Sequence, residues 1–158
     1  MESLNFDFEY AWEPFTVQGR HLTFEEHHNV RLSRADCSHW GAAVYKWEGL
    51  LIQGDHAGEA GILIGETKDL RQRIKQYISG TQESGNKYWR EQFLTKGDVR
   101  LYVLRFVQGK ISTPAGESET LGTGDLVRNN IRLVLEQLLV RREVARGDEK
   151  RWVVNRKL

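Results

Sequence analysis

AAVYKW (Ala42–Trp47) and ILIGETKDLRQRIKQY (Ile62–Tyr77) are the two stretches whose reading decides this fold. The first belongs to an apolar segment, Gly41–Ile52, and the second opens with another, Ile62–Gly65. Between them lies QGDHAGEAG, a polar, glycine-rich turn. Two strand-like runs joined in this way predict an antiparallel hairpin. From Thr67 onward the period changes. Leu70, Ile74, Tyr77 and Ile78 recur at the spacing of one helix face, while Arg71, Gln72, Lys75 and Gln76 point elsewhere. Gly80 should end that helix, because glycine accepts the left-handed backbone of a helix terminus.

Upstream, Phe6, Phe8, Tyr10 and Trp12 alternate with Asp7, Glu9 and Ala11. Period two with aromatics on one side predicts a half-buried strand. The interleaved carboxylates would repel phosphates, so the aromatic row is read as sheet packing and not as a base-stacking platform. Thr23 and Glu26 have the spacing of a capping box ahead of a short helix, in which His27 and His28 are expected to be exposed. Downstream, Val99–Val107 reads as a third strand. ISTPAGESETLGTG (Ile111–Gly124) reads as a surface loop inside the domain. A long helix is expected from about Asp125 to Arg146, with Leu126, Ile131, Leu135, Leu138 and Leu139 turned inward. Hairpin, helix, strand, helix is the order of a small α/β domain.

The bulk numbers bound what such a domain does. At 158 residues, 39% hydrophobic and 28% charged, the chain suits one domain with a sizeable core. No apolar run approaches the roughly 18 residues of a membrane span. The acidic, aromatic start MESLNFDFEYAWE is neither a signal peptide nor a basic transit sequence. Cys37 is the single cysteine, so an internal disulfide and a cysteine-based zinc site are ruled out, and a cytoplasmic home is the simple expectation. His21, His27, His28, His39 and His56 form no metal-ligand spacing. A phosphate-cradling Walker loop and a Gly-x-Ser-x-Gly elbow are both missing, which argues against an NTPase or an esterase. Net charge is +1 but uneven. Residues 1–60 carry 4 Lys/Arg against 10 Asp/Glu, and residues 61–158 carry 19 against 12. The later part of the chain can therefore present a basic surface.

The two opening stretches resemble the paired core motifs of the GIY-YIG nucleases. In that family a strand ending in Gly-Ile-Tyr precedes a strand ending in Tyr-Ile-Gly and a helix carrying an arginine. Ala43-Val44-Tyr45 stands for the first triplet and Leu63-Ile64-Gly65 for the second. Arg73 matches the helix arginine, Tyr77 the His/Tyr position one turn later, Glu136 in VLEQLL the metal-binding glutamate, and Asn155 the trailing asparagine. The likeness runs from about Gly41 to Asn155. It implies a GIY-YIG-like catalytic domain over residues 41–158, a small three-stranded antiparallel sheet flanked by helices. Residues 1–40 are then an N-terminal strand/helix extension packed on that core. It implies a metal-dependent endonuclease that hydrolyses phosphodiester bonds in DNA. Tyr45 would serve as base or water-orienting group, Arg73 as phosphate clamp, Tyr77 as support, and Glu136 as ligand of one Mg²⁺ or Mn²⁺ ion.

Physical chemistry supports those residue types. A guanidinium fork suits a phosphate and keeps its charge. A phenol titrates near pH ~10, so Tyr45 is a poor base unless a cation lowers it. Lys46 is next in sequence, although adjacent strand residues point to opposite faces. On spacing alone Glu136 could instead belong to a surface row with Arg128 and Arg132. Two departures from the family pattern stand out: Leu63 replaces a motif tyrosine, and Glu66 puts a carboxylate beside the site. They motivate an alternative, a nucleic-acid-binding or regulatory module that has lost the chemistry. Lys87, Tyr88, Trp89 and Arg90 mix basic and aromatic side chains and are expected to contact nucleic acid. Symmetric double-strand cutting would call for a homodimer.

Overall fold

A computed structural model describes residues 2–80, 92–95, 97–146 and 150–155. The hairpin forms as the sequence predicts, from β2 (Ala43–Leu51) and β3 (Ala60–Thr67), antiparallel, with Tyr45 opposite Gly65. Helix α1 (Leu70–Ser79) follows at once. Asp69 caps it by accepting a hydrogen bond from the Gln72 N–H at 3.0 Å, and Gly80 closes it at φ 66°. Leu70 and Ile74 are buried beneath it.

The sheet itself overturns the expectation of a small three-stranded antiparallel sheet flanked by helices. Among the described residues it is six-stranded and mixed. β1 (Asn5–Pro14) pairs with β4 (Gly97–Ser112), β4 with β2, and β2 with β3, all antiparallel. β5 (Ser118–Leu121) returns along β4, and β6 (Arg151–Val153) adds a parallel strand to β3. Three features account for the difference. The aromatic strand β1 joins the main sheet through ten residues of pairing instead of lying apart from it. The stretch expected to be a loop folds as a hairpin, with Gly116 at φ 91° in its turn. The three residues of β6 are too few to carry a period.

The long helix also starts later than its apolar spacing suggests. Thr123–Val127 is a 3-10 turn closed by the Asp125 carboxylate, which accepts from the Gly122 N–H at 2.7 Å. Arg128 is extended, and α2 runs from Asn129 to Ala145. Leu138, expected inward, is 38% exposed.

Alternation along β2 divides the interior in two. Tyr45 and Trp47 join α1 and the segment after β1 (Phe15, Val17, Leu22, Phe24) in one apolar cluster. Val44, Ile62, Ile64 and Leu104 meet α2 through Ile131, Leu135 and Leu139 in the other. Residues 1–40 thus supply both an edge strand and core side chains.

His27 departs from its expected exposure. Thr23 and Glu26 exchange the reciprocal bonds of a capping box at 2.8 and 3.2 Å, ahead of a 3-10 turn, Glu26–Asn29. That turn lies on the sheet, so His27 is 1% exposed, with its ring 5.7 Å from Trp47 and 6.0 Å from Phe15. Neither of its ring nitrogens has a hydrogen-bond partner among the described residues.

Burial accordingly holds the His27 imidazole down at about 4, against an ordinary 6.5. Between those values the unfolded chain binds a proton that the folded chain refuses, so stability falls as pH drops through the window. At about 1.4 kcal/mol per pH unit, one such site accounts for a loss of about 3 kcal/mol. Urea titrations at pH 7 and pH 4.5 should show this loss. His27→Phe should flatten it, and equal pH slopes in the two proteins would contradict the assignment.

Candidate active site

Two phenols define the centre of the site. Tyr45 comes from β2 and Tyr77 from the last turn of α1, and their hydroxyls meet at 3.1 Å. The rings stand edge to face, with centroids 6.2 Å apart. Trp47 holds Tyr77 from below at 6.0 Å and 76°, and Phe24 and His27 close on Trp47 in turn. The first part of the chain therefore buttresses the tyrosine pair through an aromatic stack.

Gly65 makes the pair possible. A Cβ at this position would lie 2.4 Å from the Tyr45 hydroxyl oxygen and 2.6 Å from the ring carbon that bears it. The Tyr45 ring crosses β3 where its direct partner, Gly65, has no side chain to obstruct it. Asn155, just after β6, clamps the same strand from outside. Its side-chain oxygen accepts from the Ile64 N–H at 2.6 Å, and its NH₂ group donates to the Ile64 carbonyl. Side-chain amide pairing of this kind replaces a strand neighbour where the short β6 has ended.

Electrostatics connects Arg73 and Glu136 to the pair. Burial pushes the Tyr45 phenol well above its ordinary 10. The Tyr77 hydroxyl raises it further, the Arg73 guanidinium opposes the shift, and the Glu136 carboxylate adds to it. The structure thus brings three of the residues singled out in the sequence, Arg73, Tyr77 and Glu136, within electrostatic reach of the Tyr45 phenol. Arg73 is half-buried, and its Nε has no hydrogen-bond partner among the described residues. Glu136 is half-buried on α2.

Other predicted residues go elsewhere. Lys46 points to the opposite face of the sheet, where it pairs with Glu48 and lies over the rings of Trp12 and Tyr102 at 5.0 and 5.3 Å. It cannot tune Tyr45 from there. Lys87, Tyr88, Trp89 and Arg90 lie outside the described residues. The surface row imagined for Arg128, Arg132 and Glu136 does not form either, because Arg132 is 3% exposed.

Arg132 also explains Glu66. Its Nε donates to the Glu66 carboxylate at 2.7 Å, and its remaining nitrogens donate to the Leu126 and Val127 carbonyls and to Asn129. A buried guanidinium needs this many acceptors. Glu66 is therefore committed to holding α2 against β3. Sequence reasoning missed the pair because its members lie 66 residues apart. Leu63 is likewise interior, 3% exposed beside Tyr45 and Trp47.

Among the described residues no three His, Cys, Asp or Glu side chains gather as a metal cage. A divalent ion here would rest on Glu136, with water and phosphate oxygens completing its shell. One hard carboxylate close to a guanidinium and two phenols fits Mg²⁺, which keeps most of its water. Compared with family models, with curated protein sequences and with solved structures, the chain matches none. Among the described residues, no helix is long and apolar enough to cross a membrane.

Gly65→Ala should displace Tyr45 and cost about 1–3 kcal/mol, the usual penalty for overpacking. In a Tyr45→Leu background the same substitution should cost much less, since the obstructing ring tip is gone. Thermal denaturation of the four proteins measures this coupling, and additive effects would show that the two residues do not compete for space.

Proposed function

We propose that this protein is a metal-dependent endonuclease that hydrolyses phosphodiester bonds in DNA, with active-site chemistry of the GIY-YIG type. The observation that carries the reading is the Tyr45–Tyr77 hydroxyl pair at 3.1 Å, with Arg73 and Glu136 both acting on Tyr45. Hydrolysis requires an oriented water, neutralised charge on the phosphorane and help for the leaving oxygen. Arg73 carries a permanent charge on a fork of donors that suits a phosphate oxygen, and its buried Nε has no partner among the described residues. Glu136 would hold the ion, which when bound supplies Lewis acidity to the phosphate and leaving oxygen.

The protonation state of Tyr45 selects between its two possible roles. A phenol raised well above 10 stays neutral near pH 7, so it can donate a hydrogen bond but is a poor proton acceptor. Within the pair one hydroxyl donates to the other, leaving the second O–H free to direct a water or a phosphate oxygen. Tyr77 is the less buried of the two and is the member able to reach outward. Tyr45 therefore orients the nucleophile through Tyr77 and does not take its proton. The single half-exposed cysteine fits a reducing compartment, the cytoplasm. Cutting both strands of a duplex would involve two copies acting as a symmetric dimer.

A second reading, a nucleic-acid-binding module without hydrolysis, is favoured by Leu63, which leaves no second motif hydroxyl on this side of the sheet. Incubation of plasmid and branched DNA with Mg²⁺ or Mn²⁺ decides between them. Cleavage is expected, with Arg73→Ala slower by about 10²–10³, the range for removing a transition-state charge donor. Tyr45→Phe should slow the reaction yet leave the shape of the pH–rate profile between about pH 6 and 9 unchanged, because the phenol does not ionise there. No cleavage above the Arg73→Ala and Glu136→Ala backgrounds, with DNA binding unaffected by Glu136→Ala, would leave the binding module standing.

A further inference from the structure

A groove of about 350 Å³ runs beside Arg73, between α1 and the start of α2. Its lining is wholly polar: Lys68, Gln72, Arg73 and Gln76 on one side, Asn129 and Arg132 on the other, with Glu66, Thr67 and Asp69 between them. Both carboxylates are already engaged. Glu66 accepts from Arg132 at 2.7 Å, and Asp69 accepts from the Gln72 N–H at 3.0 Å. Lys68 is exposed, and neither it nor Arg73 forms an ion pair among the described residues. Asn129 turns its oxygen to the Arg132 guanidinium at 3.1 Å, since arginine can only donate, so its NH₂ group remains a donor. What the groove offers a ligand is two cations, unpaired among the described residues, and a set of amide donors, against one carboxylate, Asp69, that is engaged as the cap of α1.

We propose that this groove is a track for the sugar–phosphate backbone of one nucleic-acid strand, leading into the Tyr45–Tyr77 site. The inference rests on the hydrolase reading only for the identity of the polyanion. Phosphodiester oxygens are acceptors alone, which is the complement of this lining. No aromatic or aliphatic side chain lines the groove, so it provides no surface on which a base could stack. Arg73 at the inner end and Lys68 at the outer end hold phosphates, while Gln72 and Gln76, one helical turn apart, donate to the backbone between them. Binding is therefore set by charge and shape, with little dependence on base sequence. The carboxylates of the acidic first 60 residues do not line the groove. Glu66 is charge-paired with Arg132, and Asp69 is turned to the N-cap of α1, so Lys68 and Arg73 leave the groove with a net positive charge.

Fluorescence anisotropy of fluorescein-labelled oligonucleotides with the full chain, in EDTA and at about 50–200 mM KCl, tests this. Lys68→Ala should weaken binding about 3–10-fold and reduce the slope of log affinity against log salt by about 1, the signature of one lost phosphate contact. Gln76→Glu, which places an uncompensated carboxylate in the groove, should weaken binding by about tenfold or more. Arg105→Ala removes a cation that pairs with Glu13 on the β1–β4 edge, and should change neither quantity. Oligonucleotides of different sequence should bind within a few-fold of one another. Unchanged affinity and salt slope in both Lys68→Ala and Gln76→Glu would overturn the proposal, as would a wild-type chain with no salt-dependent binding. Added Mg²⁺ separates the two readings. Bound DNA that stays intact removes the hydrolase but leaves the groove, whereas cleavage with unaltered groove variants removes the groove and leaves the hydrolase.

Discussion

The Tyr45 side chain lies across β3 at Gly65, and the distances on either side leave no room for a single extra methyl group. This close approach sets the rest of the site. It fixes the register of β2 against β3, because sliding the pairing by one residue would put Ile64 or Glu66 under the ring. It carries the hydroxyl beyond the hairpin to where α1 delivers Tyr77. It also gives a reason for the amide clamp of Asn155, which holds the backbone of Ile64 immediately before the glycine. A glycine weakens a strand by giving it no side chain to pack, and the clamp fixes the backbone beside it where the pairing with β6 has ended.

The division of β2 into two faces then separates two kinds of polar chemistry. On the α2 face, Glu66 and Arg132 form a buried pair whose other donors all find acceptors, and Lys46 sits over Trp12 and Tyr102 beside Glu48. Glu143, 6% exposed, similarly receives Arg151 at 2.8 Å and so ties β6 to α2. These charges are mutually satisfied and belong to the scaffold. On the other face, the two phenols and the Arg73 guanidinium retain unused donor capacity. Buried donors without partners are uncommon in folded proteins and concentrate where a ligand supplies what the fold does not. Glu66 thus belongs to the packing of α2 on the sheet, whereas Leu63 lies on the Tyr45 face and contributes only apolar contact there.

The parts of this structure that were legible in the sequence are those specified locally. The β2–β3 hairpin, α1 with its Gly80 terminus, and the Thr23–Glu26 box each depend on neighbouring stretches of chain. What was not legible depends on distant partners. β6 is strand only because β3 has an open edge, and His27 is buried only because Trp47 and Phe15 lie beneath its turn. Arg132 looked like a surface residue because helical spacing counts neighbours along α2 and is blind to Glu66 on β3. The start of α2 was misplaced for a different reason. Leu126 is buried, at a position compatible with helical spacing, but Asp125 closes a tighter turn around it and Arg128 breaks the path. That Tyr45 and Tyr77 meet follows from the β2–β3–α1 unit, which the sequence specifies locally. Glu136 is different: nothing local distinguishes it, and only its effect on the buried Tyr45 phenol ties it to the others.

That phenol constrains any chemistry assigned to the site. Burial, the neighbouring hydroxyl and the Glu136 carboxylate all favour its neutral form, and Arg73 alone opposes them. A divalent cation placed against Glu136 would outweigh that carboxylate and work with Arg73, while desolvation, the largest influence, would still favour the neutral phenol. Ionising Tyr45 would also leave a buried phenolate whose nearest partner is another hydroxyl, an arrangement costly to maintain in a low-dielectric interior. The neutral hydroxyl pair, by contrast, costs nothing further to hold: the aromatic stack of Trp47, Phe24 and His27 already fixes the rings. Preorganisation of this kind favours a donor that orients a reacting oxygen over a base that must change charge during the reaction. The N-terminal 40 residues, by completing that stack, are then part of what keeps the hydroxyls in place, although no charged group of theirs acts on Tyr45.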